Sequence, residues 1–297
     1  MRDFVIITDS GSCMGKTLRN EYDIKYVVLS FSCNGTTYPA DLDWKKISAH
    51  EFYDLMREGN RILTSQALVK DYVDVFEKYI LEGKDILYLG CSSKLSASVK
   101  NSFIAKDELL NKYPDSKIIC IDTLRGSYAL ALLCIAASYY RKEGKSLEEV
   151  ANWINDNKFT SNMEGTVETL KYLKMSGRVS ATSAFFGGLL NIKPIIIGDA
   201  LGQNYAIEKV KGRRVSLERI AERMKEQYLD VPHQKVIIAH ADCYDEAVEF
   251  KNIICKTLGK ELDITIDYVG PCTGSATGPG MLCVYYFGKE VLVNKDN

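Results

Sequence analysis

Short apolar runs alternate with helix-patterned segments through the first half of the chain, and this alternation constrains the fold more than any other feature. Three of the four apolar runs end in small polar residues. The runs are FVIITDS (4–10), IKYVVLSFSCNGTTYPA (24–40, interrupted by an Asn-Gly turn), DILYLGCSS (85–93) and KIICIDT (117–123). Apolar residues recur at helical spacing in 47–60, 64–84, 95–113 and 126–143. The pattern predicts a parallel sheet with helices on both faces.

The polar residues that follow these strands indicate where a ligand would bind. In open parallel sheets, ligands lie beyond the carboxyl ends of the strands. Those ends carry Asp9-Ser10, Cys91-Ser92-Ser93 and Asp122-Thr123. The predicted crevice is therefore lined by hydroxyls and acids, with no histidine among them.

The pattern changes after a capped amphipathic helix over 146–159. Helix, strand and turn signals are mixed from there on, and a further helix with a Ser cap is predicted over 216–230. The tail contains two strands joined by the glycine-rich loop VGPCTGSATGPG (269–280). We therefore expect an α/β fold with two parts: an N-terminal α/β/α domain over 1–160 and a C-terminal α+β domain over 161–297.

Composition narrows the class of protein. The formal net charge is -1 and there is no long basic run, which argues against nucleic-acid binding. Nine scattered cysteines form no CxxC pair, and no signal-like stretch opens the chain, so we expect reduced thiols and a cytoplasmic protein. The longest apolar stretch, 129–140, is too short to span a bilayer, which needs about 20 residues. No stable membrane anchor is predicted.

Two hydroxyl-rich segments are candidates for an anion site. Thr64-Ser65-Gln66 is predicted to open one helix and SSKLSAS (92–98) another. Free N–H groups and a positive dipole end favour anions at helix starts. Each segment taken alone is better explained as a plain helix cap. Two such segments after neighbouring strands favour convergence on one carboxylate or phosphate.

Familiar catalytic and metal motifs are absent. The chain has no GxxxxGK[ST], no GxGxxG after a strand and no GxSxG elbow. The spacing of His240-Ala241-Asp242-Cys243 does not suit a closed zinc site, so no metal and no cofactor are predicted. A hydrolase or kinase-like enzyme using Ser93 or Ser96 stays an alternative, although no base is visible beside either serine.

The segment MSGRVSATSAFFGGLLNIKPI (175–195) is the densest in distinctive residues. Arg178 lies in a Gly-Arg-Val-Ser context, where a guanidinium suits a carboxylate or phosphate. Apolar side chains follow, and they either line a tunnel or pack a core helix: Phe185, Phe186, Leu189 and Ile192. The glycine-rich loop is likewise either a turn that needs positive φ or a cradle for an anion.

Taken in order, these pieces resemble the DegV family of bacterial fatty-acid-binding proteins, which have an EDD-type fold. The resemblance covers almost the whole chain. The matching motifs are VIITDS (5–10), TSQ (64–66), SSKLS (92–96), IDT (121–123), TLKYLKMSGRVS (169–180), GGLLNIKPII (187–196) and TGPG (277–280).

The resemblance implies a carrier without turnover of its own. It implies one long-chain fatty acid in a buried tunnel between the two domains, whose carboxylate is presented to a partner fatty acid kinase for acyl-phosphate formation. By the same resemblance, Thr64 and Ser96 hold the carboxylate, with Ser65, Arg178, Thr277 and Gly278 nearby.

The chain departs from the family pattern at the head-group end. Ala276 stands where the pattern His-Thr-Gly-Pro-Gly has histidine, and Ala67 follows TSQ where proline is usual. Leu95-Ser96-Ala97-Ser98 replaces Leu-Ser-Gly-Thr, and Ala129 and Ala131 replace glycines. The loss of the imidazole puts presentation to a kinase in question. It also keeps open a different amphiphilic acid as the ligand, such as a branched or isoprenoid one.

Overall fold

The computed structural model describes residues 3–180 and 191–295. Its strands are β1 (Phe4–Asp9), β2 (Ile24–Val27), β3 (Ser30–Cys33), β4 (Thr36–Pro39), β5 (Leu63–Ser65), β6 (Asp85–Gly90), β7 (Ile118–Asp122), β8 (Ser161–Thr166), β9 (Val179–Ser180), β10 (Ile192–Gly198), β11 (Asn204–Lys211), β12 (Val236–His240), β13 (Ile264–Tyr268) and β14 (Leu282–Phe287). Its helices are α1 (Lys16–Tyr22), α2 (Ala49–Arg57), α3 (Val69–Leu81), α4 (Ser98–Lys112), α5 (Ser127–Lys142), α6 (Leu147–Asn157), α7 (Leu170–Ser176), α8 (Arg213–Gln227), α9 (Tyr244–Leu258) and α10 (Pro271–Thr277).

The predicted parallel sheet is confirmed. Its strand order is β2-β1-β6-β7, and all three pairings are parallel. Every residue of β1 and β6 is buried, as expected for strands covered on both faces. Helix α2 begins at a capping box in which Ser48 and Glu51 satisfy each other's backbone N–H groups. Helix α6 begins in the same way at Ser146.

A small antiparallel sheet, in the order β4-β3-β5, lies beside the parallel one. Strand β5 contains Thr64 and Ser65, which pair with Phe31 and Ser30 of β3. The prediction that Thr64 opens a helix is therefore wrong. Helix α3 starts only at Val69, where Asp71 Oδ2 accepts from the Leu68 N–H over 2.7 Å. Thr64 lies five positions before that helix start, so the helix dipole and the free N–H groups are not available at the Thr64 hydroxyl.

The second half of the chain builds one mixed sheet in the order β13-β12-β14-β8-β10-β11-β9. Its first strand in the chain, β8, starts at Ser161. Helices α8 and α9 cover one face through Ile220, Met224 and Phe250, which are fully buried against Ile238 and Val284. This arrangement agrees with the predicted α+β character of the C-terminal part.

Helix α5 packs between the parallel sheet and the mixed sheet. All of its residues from 127 to 138 are buried, because it contacts β1 and β6 on one side and β8 and β14 on the other. One hydrophobic cluster consequently runs from Ile6 through Leu132 to Tyr285. The division at residue 160 stays a prediction, since the two sheets share this core. Within the described residues, no helix combines the length and the apolar character needed to cross a bilayer.

Two local predictions in the C-terminal part are wrong. Helix α8 begins at Arg213, after Gly212, so Ser216 lies inside the helix and its hydroxyl donates to the Arg213 carbonyl over 2.6 Å. The glycine-rich stretch 269–280 is not wholly a loop, because Pro271–Thr277 forms α10. Proline at the first helical position suits the start of a helix, and Gly278 at φ 79° ends it.

Candidate functional site

One large cavity, of about 470 Å³, lies between the mixed sheet and the helices that face it. Its sheet side is formed by residues of β8, β10 and β14, including Met163, Ile196 and Tyr285. The opposite side comes from β5, the segment before α4, α7 and α10. The volume falls within the range of small-molecule sites, about 300–1,000 Å³.

Hydroxyl groups from several separate segments line this cavity, and three of these segments were singled out in the sequence. Thr64 and Ser65 come from β5, Ser96 from the turn before α4, and Ser275 and Thr277 from α10. Thr64 and Ser65 are exposed, whereas Ser96 is half-buried. The TSQ and SSKLS segments thus line the same cavity, whereas their convergence on one anion stays a prediction. Their assignment as carboxylate ligands stays a prediction.

Every charged side chain that lines the cavity is positive, among the residues that the structure describes. Arg61 and Arg178 are the charged side chains among the described residues that line the cavity, and no Asp or Glu accompanies them. Arg178 is exposed, and its Nη1 donates to the Ser176 carbonyl over 2.5 Å. Two guanidinium groups, with no Asp or Glu among the described lining residues, favour the binding of an anion in the cavity.

The inner end of the cavity is organised by a buried carboxyl group. Asp9 accepts from the Gly11 N–H (2.7 Å), the Cys91 N–H (3.1 Å) and the Tyr88 hydroxyl (2.6 Å). Burial raises the pKa of Asp9. Gly11 and Cys91 line the cavity, so Asp9 fixes the two strand ends that close it. The sequence pattern placed Asp9 at the crevice, but it did not predict that this carboxylate accepts hydrogen bonds from both strand ends.

Further lining residues were missed because they are distant in sequence and carry no motif. Ser127 Oγ accepts from the Tyr285 hydroxyl over 3.0 Å, and both residues line the cavity. Thr166 and Asn204 also contribute. Strand pairing in the mixed sheet, of β8 with β10 and β14 and of β10 with β11, brings Thr166, Tyr285 and Asn204 to one surface. A lone Ser or Thr on a strand gives no sequence signal of that pairing.

Thr277 lines the cavity, whereas Gly278 is not among the described residues that do. Gly278 has φ 79° and ψ 172°, a conformation essentially restricted to glycine. A Cβ atom at this position would overlap the ring of Tyr172. Tyr172 itself lines the cavity and donates to the Met56 carbonyl over 2.9 Å. Gly278 therefore allows close packing of α10 against α7.

Of the four residues predicted to line a tunnel, only one lies among the described residues, and it does not line the cavity. Phe185, Phe186 and Leu189 lie outside the described residues. Ile192 starts β10 opposite Lys211, whereas the cavity contacts that strand at Ile196. Ile192 is not among the described lining residues. Leu29, Ile62, Val167 and other apolar side chains take that role instead.

One surface cluster has the composition of a metal site. His50, Asp54 and Asp242 bring their ligand atoms within 4.8 Å of one another among the described residues. However, Arg57 Nη1 already donates to Asp54 Oδ1 (2.7 Å) and Asp242 Oδ2 (2.6 Å), and His50 Nδ1 lies 2.9 Å from Asp242 Oδ2. Because the carboxylates are compensated by these cations, we interpret the cluster as an ion-pair network that joins α2 to the β12–α9 turn.

The other two histidines have structural surroundings. His240 is buried, and its Nδ1 accepts from the Cys243 N–H over 3.3 Å. His233 packs edge-on against Trp153 and Phe287. Burial lowers the pKa of both to about 4. Neither these residues nor His50 are among the described residues that line the cavity, so no imidazole lies there to activate a serine.

Fold and cavity together define an α/β protein with one large cavity, whose described lining combines apolar side chains with hydroxyl groups and two arginines. The chain belongs to the DegV family: the family model described as an uncharacterised protein of the DegV family matches residues 3–289. A DegV domain-containing protein of Clostridium perfringens is 36% identical over 97% of this chain and 98% of its own length.

Solved structures of the family superpose over nearly the full chain. A DegV lipid-binding protein from Thermotoga maritima is 26% identical, with a TM-score of 0.84 over 97% of this chain and 99% of its own. A DegV family protein from Thermus thermophilus, described by its fatty acid binding, is 24% identical and shares the fold with a TM-score of 0.85 over 97% of this chain and 100% of its own.

Proposed function

We propose that this protein binds a long-chain fatty acid in the cavity and presents its carboxylate to a partner fatty acid kinase. It acts as a cytoplasmic carrier without turnover of its own. The observation that carries the proposal is the charge of the lining. Exposed Thr64 and Ser65 line the cavity together with two exposed arginines, and no carboxylate is present among the described lining residues. Two solved relatives support the proposal: one is described as a lipid-binding protein and the other by its fatty acid binding function.

The apolar part of the lining supplies the affinity. A C16 chain buries about 14 methylenes at roughly 0.8 kcal/mol each, or about 11 kcal/mol before costs. Association and ordering entropy offset a sizeable part of that gain. Charge-assisted hydrogen bonds from hydroxyls to the carboxylate add about 1.5–3 kcal/mol each. The tail therefore sets the affinity, and Thr64 and Ser96 set the position of the head group.

The exposure of the head-group end supports presentation to another protein. Thr64, Ser65 and Arg178 are all exposed, so a carboxylate held there faces solvent. A kinase needs access to that carboxylate, whereas the tail needs enclosure. Ala276 lies in the same lining, in place of the histidine of the family pattern. We expect Arg178 and the hydroxyls to hold the anion without an imidazole.

Lipid content and binding of matched ligands test the proposal. Native mass spectrometry of protein purified from cells should show the added mass of a fatty acid, which extraction then identifies. Delipidated protein should bind palmitic acid more tightly than methyl palmitate, whose head group has no charge. Protein that is free of lipid and does not bind palmitic acid would overturn the proposal.

Paired variants test the head-group residues. Thr64→Val and Ser96→Ala should each weaken palmitic acid binding about 5- to 100-fold, and leave methyl palmitate binding nearly unchanged. Thr37→Val on β4 and Ser93→Ala are matched controls, because neither residue is among those that line the cavity. Equal losses for both ligands would show that the two hydroxyls serve the fold rather than the carboxylate.

A reconstituted assay tests the carrier role. A fatty acid kinase catalytic subunit with ATP should form acyl-phosphate only when the loaded protein is added. The protein alone should release no product from p-nitrophenyl esters or ATP above a buffer blank. Activity of the protein alone that is abolished by Ser96→Ala would instead support a hydrolase.

A further inference from the structure

The arginines of this chain fall into two groups according to their partners. Seven of the ten arginines that the structure describes form an ion pair with a carboxylate. The other three are Arg61, Arg125 and Arg178. Arg125 is buried, and its guanidinium donates to three backbone carbonyls. Arg61 and Arg178 are therefore the two described arginines that are exposed and lack a carboxylate partner, and both line the cavity.

Of these two side chains, Arg61 has the less restrained guanidinium. The Nη1 of Arg178 donates to the Ser176 carbonyl over 2.5 Å, which ties that side chain to the end of α7. Within the described part of the chain, the guanidinium of Arg61 takes part in no hydrogen bond and no ion pair. No described residue therefore competes with a ligand for its five N–H donors.

The backbone at Arg61 is held beside the hydroxyls of the cavity. Asn60 is anchored through its side chain, whose Nδ2 donates to the Leu55 carbonyl over 2.9 Å, and Ile62 is buried. Thr64 follows Arg61 by three positions, and every residue between them lines the cavity. A chain advances at most about 3.6 Å per residue, so the two Cα atoms lie within about 11 Å of each other. The long side chain of Arg61 can therefore reach a carboxylate held at Thr64.

A guanidinium distinguishes head groups by their charge. It stays protonated throughout the pH range in which proteins are folded, and its planar fork matches the two oxygens of a carboxylate. The carbonyl oxygen of an ester has no net charge and accepts only a weaker, neutral hydrogen bond. An arginine at this position consequently favours an ionised acid over a neutral lipid with the same tail.

We infer that Arg61 is a specificity-determining residue, which selects ionised fatty acids over neutral lipids of the same chain length. This inference rests on the proposed function and deepens it. Arg61 belongs to none of the motifs that carry the resemblance to the family, so no sequence signal pointed to it. Its assignment comes from its place in the lining and from the absence of an acidic partner among the described residues.

The test compares the binding of palmitic acid and methyl palmitate to delipidated protein. Arg61→Gln removes the charge, so palmitic acid should bind about 3- to 10-fold more weakly, with methyl palmitate changed less than about twofold. Arg61→Lys keeps the charge but not the fork and should give an intermediate loss. Arg214→Gln is the matched control, because it removes the same charge from an exposed arginine of α8 that is not among the lining residues.

Salt dependence supplies a readout that a purely structural role would not change. Raising the salt concentration from about 0.01 M to about 1 M shortens the Debye length from about 30 Å to about 3 Å. The preference of the native protein for palmitic acid over methyl palmitate should therefore decrease. In Arg61→Gln the preference should be smaller at low salt and should respond less to added salt.

The outcomes separate the inference from the proposed function. If palmitic acid binds and the ratio of the two dissociation constants is the same in Arg61→Gln, the inference is overturned and the carrier function stands. Equal losses for both lipids, or an equal loss in Arg214→Gln, would overturn it as well. Failure of the native protein to bind palmitic acid contradicts the proposed function itself. If Arg61→Gln does not fold, Arg61→Met, which also lacks the charge, gives the same comparison.

Discussion

The backbone N–H of Ala67 donates to the hydroxyl of Ser98 over 3.0 Å, and this bond joins the two hydroxyl-bearing segments of the site. Ser98 is fully buried at the start of α4, two residues after Ser96. Ala67 follows Thr64-Ser65-Gln66, and its carbonyl accepts from Asn101 Nδ2 over 2.7 Å. Proline, which is usual at this position in the family pattern, has no N–H to donate. The alanine therefore carries a contact that proline cannot make.

A double-mutant cycle tests the contact between these two residues. Ser98→Ala leaves the Ala67 N–H buried without an acceptor, which should cost about 1–3 kcal/mol of unfolding free energy. Ala67→Pro removes the N–H donor and so deprives the Ser98 hydroxyl of this hydrogen bond. The combined variant removes both partners, so its loss should fall short of the sum of the two single losses by at least about 0.5 kcal/mol.

Urea unfolding measures the three losses. Ala40→Pro/Ser102→Ala is a suitable control cycle: the Ala40 N–H donates to the Leu29 carbonyl and the Ser102 hydroxyl to the Val99 carbonyl, so the two residues share no bond. Its losses should add. Strict additivity at Ala67 and Ser98 would show that their hydrogen bond contributes nothing.

The parallel sheet could be predicted because its two central strands, β1 and β6, are largely apolar runs bounded by polar residues. β1 and β6 bury every residue, and only a strand covered on both faces leaves that sequence pattern. β5 could not be predicted in the same way. It is three exposed residues long, and it exists because Phe31 and Ser30 offer pairing partners from elsewhere in the chain. Such an edge strand depends on tertiary context rather than propensity.

Residues of the candidate site could be predicted from the sequence only where they belong to a recognisable local motif. Thr64, Ser96, Arg178 and Thr277 belong to recognisable segments, and the structure brings them to one cavity. Tyr285 and its neighbours on the mixed sheet are set by strand order, which is a non-local property. Helix α10 was hidden for a different reason: glycine-rich composition argues against a helix, yet Tyr53 donates to the Val269 carbonyl and fixes the entry to it over 2.9 Å.

Gly278→Ala should destabilise the protein through two effects. The alanine must adopt a backbone conformation that is essentially restricted to glycine, at a cost of about 1–3 kcal/mol. Its Cβ also overlaps the Tyr172 ring, which must move. Gly144→Ala is the matched control, because Gly144 has φ 82° and no atom within 4 Å of an added Cβ. Thermal unfolding should show a larger loss for Gly278→Ala, and palmitic acid binding should change only in that variant. Equal losses of stability in the two variants would mean that the Tyr172 ring moves aside without a measurable cost in free energy.

Ala276→His should strengthen binding at the carboxylate end and leave the tail unaffected. The added imidazole supplies a donor beside Thr277 and, when protonated, a charge worth about 1.5–3 kcal/mol. Palmitic acid should therefore bind roughly 10- to 100-fold more tightly at pH 6 than to the native protein, with a smaller gain at pH 8. Ala276→Gln controls for added size without titration. Methyl palmitate binding should not change. If neither affinity nor acyl-phosphate formation responds, position 276 is merely structural.

Acid sensitivity should arise from His233 and His240. Their pKa of about 4 in the folded protein lies below the ordinary value near 6.5, because burial disfavours the imidazolium. Between these values the unfolded chain binds more protons, so stability falls as pH decreases from 6.5 to 4 and is retained above 6.5. Each group contributes about 3 kcal/mol over that window. His50 has the opposite sign: Asp242 and Asp54 raise its pKa, so its contribution is present below 6.5 and is lost as pH rises.

Unfolding free energies at pH 7.5, 6.5, 5.5 and 4.5 separate these groups from the carboxylates that titrate in the same range. His233→Phe keeps an aromatic ring against Trp153 and Phe287 but removes the titration. The difference in unfolding free energy between native protein and variant should therefore shrink or reverse toward pH 4.5. Only the native protein loses stability there, because folding must keep the His233 imidazole neutral. Carboxylate effects are common to both proteins and cancel. His50→Asn should instead lose its stabilising term at the acidic end, so its curve should lie furthest below the native one at pH 5.5. Parallel curves for all three proteins would contradict the assigned directions.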